Sequence, residues 1–174
     1  MSTTTDAAPI DASTVRETAR ETFGMVPNLI TEISEHSPAV AKAYLDAGAT
    51  LGEGVLSDAE EQVVILAISS YNDCHYCTKA HAAAGRAAGL TGDVVETIVA
   101  GGLPDDPRYR RLVQATRRIL GKRGWLSTVD QEALADEGLE RDVLYEIVGL
   151  IGVKTISNYI NHIAGTEVDD AFLG

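Results

Sequence analysis

The sequence predicts an all-α protein, and three observations predict it. No segment sustains the period-two alternation of a half-buried strand, and no Asn-Gly or Asp-Gly pair marks a hairpin. Apolar residues recur at helical spacing in one segment after another. Those segments open on Ser, Thr or Pro and close on Gly, which is how helices are punctuated. About eight or nine helices fit this pattern. The 174 residues suit a single domain with a sizeable core, preceded over residues 1–12 by a loose, polar, Pro-containing arm.

Taken in order, Thr14-Val-Arg-Glu17 fits a capping box and opens a short helix that ends near Phe23, before Gly24. Pro27 suits the first turn of a second helix running to His36. Pro38 begins a third, through about Leu51, and Gly52 and Gly54 break it. Ser57-Asp-Ala-Glu60 is a second capping box. Its helix carries Glu60, Glu61 and Gln62 in its first turns, where acidic side chains complement the dipole, and runs to about Asn72. Asn72 and Asp73 are both good N-cap residues, so the next helix places Cys74 in its first turn and runs to about Ala88. Thr91 caps a helix to about Ala100.

The following helix, about Pro107 to Lys122, carries Arg108, Arg110, Arg111, Arg117, Arg118 and Lys122, with Arg123 just beyond. Such a run reads either as a solvated face paired with nearby carboxylates or as a docking face for an acidic partner. Trp125, the sole tryptophan, reads as a core or interface anchor. Ser127 caps a short helix to about Glu137. The last helix, about Glu140 to Ala164, is the most apolar, which suits a central position or a subunit interface. Gly149 and Gly152 would allow another helix to come close. Thr155, Asn158 and His162 form a polar stripe at i, i+3, i+7 that could line a site or simply face water. The acidic tail after Gly165 should be loosely held.

The chemistry concentrates in Asn72-Asp-Cys-His-Tyr-Cys-Thr-Lys-Ala-His81, which holds both cysteines. At about 100° per residue, Cys74, Cys77 and His81 share one helix face, and His81 lies one turn beyond Cys77. The first turn of a helix favours thiolate over thiol, and a neighbouring imidazole can take the thiol proton. The pattern proposes Cys77 as the attacking thiolate, Cys74 as its resolving partner and His81 as the base. Two other readings stand beside it: buried cysteines acting as apolar filler, and a Cys-Cys-His zinc site without an evident fourth ligand. His75 points off the shared face.

The formal charge of −12 argues against nucleic acid and anionic membrane surfaces. No apolar run approaches the roughly 20 residues of a membrane span, and no signal peptide is evident. A Cys-x-x-Cys in that setting suggests a cytoplasmic, reducing compartment, where it is redox-active or metal-binding rather than a structural staple.

Glu60-Glu-Gln-Val-Val-Ile-Leu-Ala-Ile followed by the cysteine motif resembles the AhpD-like branch of the carboxymuconolactone decarboxylase superfamily. Phe23-Gly-Met-Val-Pro-Asn-Leu29, Lys122-Arg-Gly-Trp125 and Ser157-Asn-Tyr-Ile-Asn-His-Ile-Ala-Gly-Thr166 resemble segments of its longer peroxidase-related members. The resemblance implies an all-α, cofactor-free and metal-free homo-oligomer, a trimer or hexamer. It also implies reduction of a hydroperoxide, with Cys77 attacking and Cys74 resolving, and electrons from an external dithiol of thioredoxin-like or lipoyl type. An oligomeric redox sensor or thiol–disulfide exchange protein would use the same dithiol. Two positions depart from the family pattern. Gln62 stands where the family has a proton-relay glutamate, so it could only orient His81 or a water by hydrogen bonds, with Glu61 adjacent but about 100° away. Tyr76 stands where the AhpD type member has a histidine before the second cysteine. Glu61, Tyr76 and His162 are therefore secondary candidates.

Overall fold

The computed structural model describes residues 10–173. Among them are nine α-helices, a short 3₁₀ turn and no strand, as the patterning predicts. The helices are α1 (Ala12–Phe23), α2 (Asn28–His36), α3 (Pro38–Leu51), α4 (Asp58–Tyr71), α5 (His75–Ala87), α6 (Gly92–Val99), α7 (Pro107–Lys122), α8 (Thr128–Asp136) and α9 (Arg141–Ala164), and the 3₁₀ turn is Asp170–Phe172. Most of the expected arm lies outside the described residues.

The capping box at Ser57 forms in both directions with Glu60, and a second one forms between Ser127 and Asp130. The helix starts differ from expectation in two places. α1 opens at Ala12, because the Asp11 carboxylate accepts the Thr14 N–H and Asp is at least as good a cap as Thr. α5 opens at His75, with Cys74 itself as the N-cap. Asn72 instead closes α4, and Asp73 has φ +53°. An N-cap needs extended backbone, so a left-handed Asp73 cannot serve, and Cys74, at φ −83° and ψ 96°, does. The reversal between α4 and α5 is thus closed within three residues, Asn72 to Cys74.

The central helix is α4 rather than α9. Every residue from Val63 to Ser69 is buried, with α5, α6, α7 and α9 packed around it. Each fully buried aliphatic side chain here contributes about 1.5–3 kcal/mol over an exposed one. α9 buries Leu144, Ile147 and Leu150 but leaves Tyr145, Val148, Tyr159 and Ile163 exposed. By length and composition alone α9 could cross a membrane. Its inner side, however, packs on α3 and α4 and carries buried Lys154, Ser157, Asn158 and Asn161. Gly149 is where α9 comes close to α3, since a Cβ there would sit 2.9 Å from Leu51 Cδ2. Gly152 has open space before it.

The basic run on α7 is spent within the fold. Arg108 pairs with Glu60 at 2.6 Å and donates to the Gly138 carbonyl. Arg111 donates to the Glu137 carbonyl, and Arg117 caps the end of α6 through the Gly101 and Gly102 carbonyls. Arg118 and Lys122 both pair with Asp130, whose carboxyl is held well below its ordinary value first by the Lys122 hydrogen bond and then by those from Ser127. The paired-face reading fits these contacts. Trp125 is 86% exposed, so it anchors no core within the chain. The C-terminal tail is not loose. Asp169 is buried, accepts the Asn28 N–H and the Tyr76 hydroxyl, and Phe172 meets the Tyr76 ring edge-on at 6.1 Å.

Candidate active site

The α4–α5 reversal drives Cys74 and Cys77 inward, and both are buried free thiols. Cys77 is the third residue of α5, where backbone N–H groups still lack helical partners. The second half of α9 faces it. Asn161 Nδ2 donates to Cys77 Sγ at 3.2 Å, and Ser157 Oγ lies at 3.9 Å. Asn158 holds Asn72 across the reversal at 2.9 Å, leaving its own amide N–H group without a partner.

These surroundings split the two thiols. Cys77 is drawn down to about 6, chiefly by the hydrogen bond from Cys74. Burial opposes this, but the Lys154 charge and the Ser157 and Asn158 side chains reinforce it. Cys74 moves the opposite way, because donating to Cys77 and lying buried both favour its thiol form. The pair therefore favours thiolate at Cys77 and thiol at Cys74.

His81 lies on the same side of α5 but is not hydrogen-bonded to Cys77. Its Nδ1 is 2.9 Å from Gln62 Oε1, and its Nε2 is 2.7 Å from Lys154 Nζ. An ammonium can only donate, so Nε2 must accept and Nδ1 must carry the proton, donated to the Gln62 carbonyl. Burial first, and the Lys154 charge second, hold the imidazole well below its ordinary value, so the ring is neutral. Lys154 also donates to the Tyr44 hydroxyl at 3.2 Å. It is only 2% exposed. Burial disfavours its charge, yet Tyr44 and the Cys77 and Cys74 sulfurs outweigh that and keep it an ammonium.

A cavity of about 410 Å³ opens onto these groups. Cys77, His81, Lys154 and Tyr44 lie in its wall, and the rest is apolar, including Phe23, Leu29, Tyr76 and Phe172. Cys74 borders a different, shallower hollow between Asp73, Thr78 and Val99 to Gly101.

The secondary candidates separate clearly. Tyr76 contributes its ring to the cavity, while its hydroxyl turns to Asp169 at 2.6 Å. Burial and that carboxylate push the phenol above its ordinary range, so it is no base. Glu61 lies beside Gly52 rather than in the cavity wall. Burial, then Asp58, raises its carboxyl, with Lys154 opposing. His162 is exposed and stacks on Tyr159, and Thr155 bonds back to the Ile151 carbonyl. Of the expected stripe only Asn158 reaches the cysteines, and the stripe that faces them is Lys154, Ser157, Asn158 and Asn161. Lys154, Tyr44 and Asn161 carried no motif signal. A lysine and two asparagines spaced i, i+4, i+7 within an apolar helix was the available clue. Among the described residues, no three His, Cys, Asp or Glu side chains gather to hold a metal ion.

Residues 38–118, which span α3 to α7 and include the whole cysteine motif, match the carboxymuconolactone decarboxylase family model. Over this stretch, just under half of its length, the chain is similar to that family. The fold of the described chain is AhpD-like. It superposes on an alkylhydroperoxidase AhpD core, an uncharacterised peroxidase-related protein from Ralstonia eutropha JMP134, with a TM-score of 0.82 at 21% identity, covering 94% of this chain and 88% of that one. An uncharacterised peroxidase-related protein from Silicibacter sp. TM1040 gives 0.78 at 23% identity, covering 97% and 90%. The apo debrominase Bmp8 gives 0.67 at 14% identity, covering 93% and 88%, so the fold houses more than one chemistry. A search of curated protein sequences gives no significant match.

Proposed function

We propose that this chain is a thiol-dependent hydroperoxide reductase of the alkylhydroperoxidase type. The observation that carries the reading is the placement of Cys77. A buried sulfur, favoured as thiolate by Cys74, Lys154 and Asn161, forms part of the wall of an apolar cavity. The thiolate attacks the terminal peroxide oxygen, the O–O bond breaks, and Cys77 becomes a sulfenic acid while the alcohol departs. The Cys74 thiol then condenses with it, releasing water and forming the Cys74–Cys77 disulfide. An external dithiol, thioredoxin-like or lipoyl-bearing, reduces the pair.

Because the thiolate is already favoured, no base is needed at the moment of attack. His81 and Gln62 act as a neutral hydrogen-bonded pair beside it. The compartment is cytoplasmic in this reading and the protein a homo-oligomer, for which the exposed apolar side of α9 offers an interface. The similarity of residues 38–118 to the family model and the AhpD-like fold support the reading at the level of reaction class.

The test is peroxide consumption with cumene hydroperoxide and a dithiol reductant. The wild type turns over, Cys77→Ser does not, and Cys74→Ser oxidises once and stalls. Turnover retained in Cys77→Ser would remove the assignment. Oxidation of the wild type without turnover by any dithiol would favour a redox sensor instead.

A further inference from the structure

Lys154 is an uncommon group to find in such a cavity. Its ammonium is buried, and no carboxylate forms an ion pair with it among the described residues. The titratable groups that face it are Tyr44 from α3, Glu61 from α4, and Cys74, Cys77 and His81 from α5. Two of its three donors are accounted for, by His81 Nε2 at 2.7 Å and Tyr44 at 3.2 Å. The third has no partner among the described residues, and Lys154 lines the cavity together with Cys77.

The charge arithmetic of the reaction makes this arrangement informative. Before attack, the Cys77 thiolate and the Lys154 ammonium balance one another. Attack turns the thiolate into a neutral sulfenic acid and expels an alkoxide. The negative charge has moved to the alkoxide, and if that oxygen took its proton from elsewhere the ammonium would be left buried and unpaired, which is costly. The alkoxide is a strong base that needs a proton. Transfer of one proton from Lys154 to the departing oxygen neutralises both at once. His81 cannot supply that proton from Nε2, which is already accepting from Lys154, and its Nδ1 proton is engaged by Gln62.

Building on the hydroperoxide-reductase reading, we propose that Lys154 is a catalytic residue of this site: the general acid that protonates the leaving alkoxide, oriented by His81 and Tyr44. The cycle balances. The Cys77 thiolate, the Lys154 ammonium and the hydroperoxide give the Cys77 sulfenic acid, the Lys154 amine and an alcohol. Cys74 then forms the disulfide with loss of water. The incoming dithiol gives up two electrons and two protons, and itself becomes a disulfide. One proton restores the Cys74 thiol, the other recharges Lys154, and Cys77 is released as thiolate.

The test uses single-turnover oxidation of Cys77, followed by mass spectrometry, with two oxidants. Cumene hydroperoxide leaves as a basic alkoxide and needs a proton. A peroxy acid leaves as a carboxylate and does not. All rates are taken at a pH where the ultraviolet absorbance shows Cys77 fully ionised in every protein compared, which separates proton donation from any effect on the thiolate. Lys154→Met is expected to lose on the order of 10²–10⁴-fold with cumene hydroperoxide and less than about tenfold with the peroxy acid. Lys154→Arg keeps the charge but cannot give up a proton, so it should keep the low Cys77 midpoint without restoring the cumene hydroperoxide rate. Equal losses with both oxidants, or no loss in either folded variant, would overturn the role of Lys154 and leave the peroxidase reading standing. A wild type whose Cys77 ignores cumene hydroperoxide would overturn both.

Discussion

The interior around α4 is aliphatic: Val63, Leu66, Ile68, Ile98, Leu112, Val113 and Ile147 are fully buried against one another. The interior between α1, α2, α3 and α5 is smaller and holds Cys74, Cys77 and Tyr76, with Lys154, Asn158, Asn161 and Asp169 buried close by. The first interior gains from close packing, and beside it Ser69 Oγ on α4 is buried without a partner. The second accepts buried polar groups because each does something for a sulfur or for the cavity: Asn161 donates to Cys77, Lys154 supplies charge, and Asp169 clasps Tyr76. Two orphaned amide atoms, Asn158 Nδ2 and Asn161 Oδ1, lie in this second region. A buried orphan of this kind calls for an explanation, and a role at a reacting group is one. α9 joins the two, hydrocarbon in its first half and polar in its second.

Substitutions should therefore separate along that divide. The largest effect is Cys77→Ser, with turnover abolished and folding retained, checked by peroxide consumption and thermal melting together. Asn161→Ala comes next. Losing a donor to the thiolate should raise the Cys77 midpoint by about one to two pH units, since a hydrogen bond to a charged group is worth roughly 1.5–3 kcal/mol. Oxidation near pH 6 should slow while the rate at high pH is preserved, and an unchanged pH profile would show that Asn161 does not act on the sulfur. On the scaffold side, Leu66→Ala should cost about 2–5 kcal/mol in denaturant unfolding without moving that profile. A profile that moved with it would dissolve the distinction between the two interiors. Tyr76→Phe removes the donor to buried Asp169 and should destabilise by about 1–3 kcal/mol, loosening the C-terminal turn over the cavity. The smallest effect is Trp125→Ala, expected within about 0.5 kcal/mol for the isolated chain because the ring is exposed.

Most of the helix pattern is legible in the sequence, because Ser57, Ser127, Thr91, Pro38 and Gly165 act locally and need no tertiary partner. The start of α5 is less so. Asn72 and Asp73 are both sound caps by type, and only the tightness of the α4 reversal hands that place to Cys74. The hold on the tail was not visible, since it depends on Asp169 meeting Tyr76, far apart in sequence. The site divides the same way. Cys74, Cys77 and His81 declare themselves by spacing, and the contact between His81 and Gln62 lies within one pair of adjacent helices. Lys154 comes from the far end of the chain, and a lysine in an apolar helix reads as a surface residue until the fold buries it. The polar stripe on α9 was visible in kind but misplaced in phase, because His162 and Thr155 share its composition and not its direction.

The measurement that bears most directly on the account is the ionisation of the two thiols, read as thiolate ultraviolet absorbance against pH for wild type, Cys77→Ser and Cys74→Ser. In the wild type one thiolate should appear as pH rises through about 6, well below the ordinary cysteine value of about 8.5. That step should vanish in Cys77→Ser. In Cys74→Ser it should persist, because the serine hydroxyl can donate to the Cys77 sulfur as the Cys74 thiol does. If both cysteines of the wild type ionised together near the ordinary value, Cys77 would be a buried thiol like any other, and the nucleophile assigned to it would be lost.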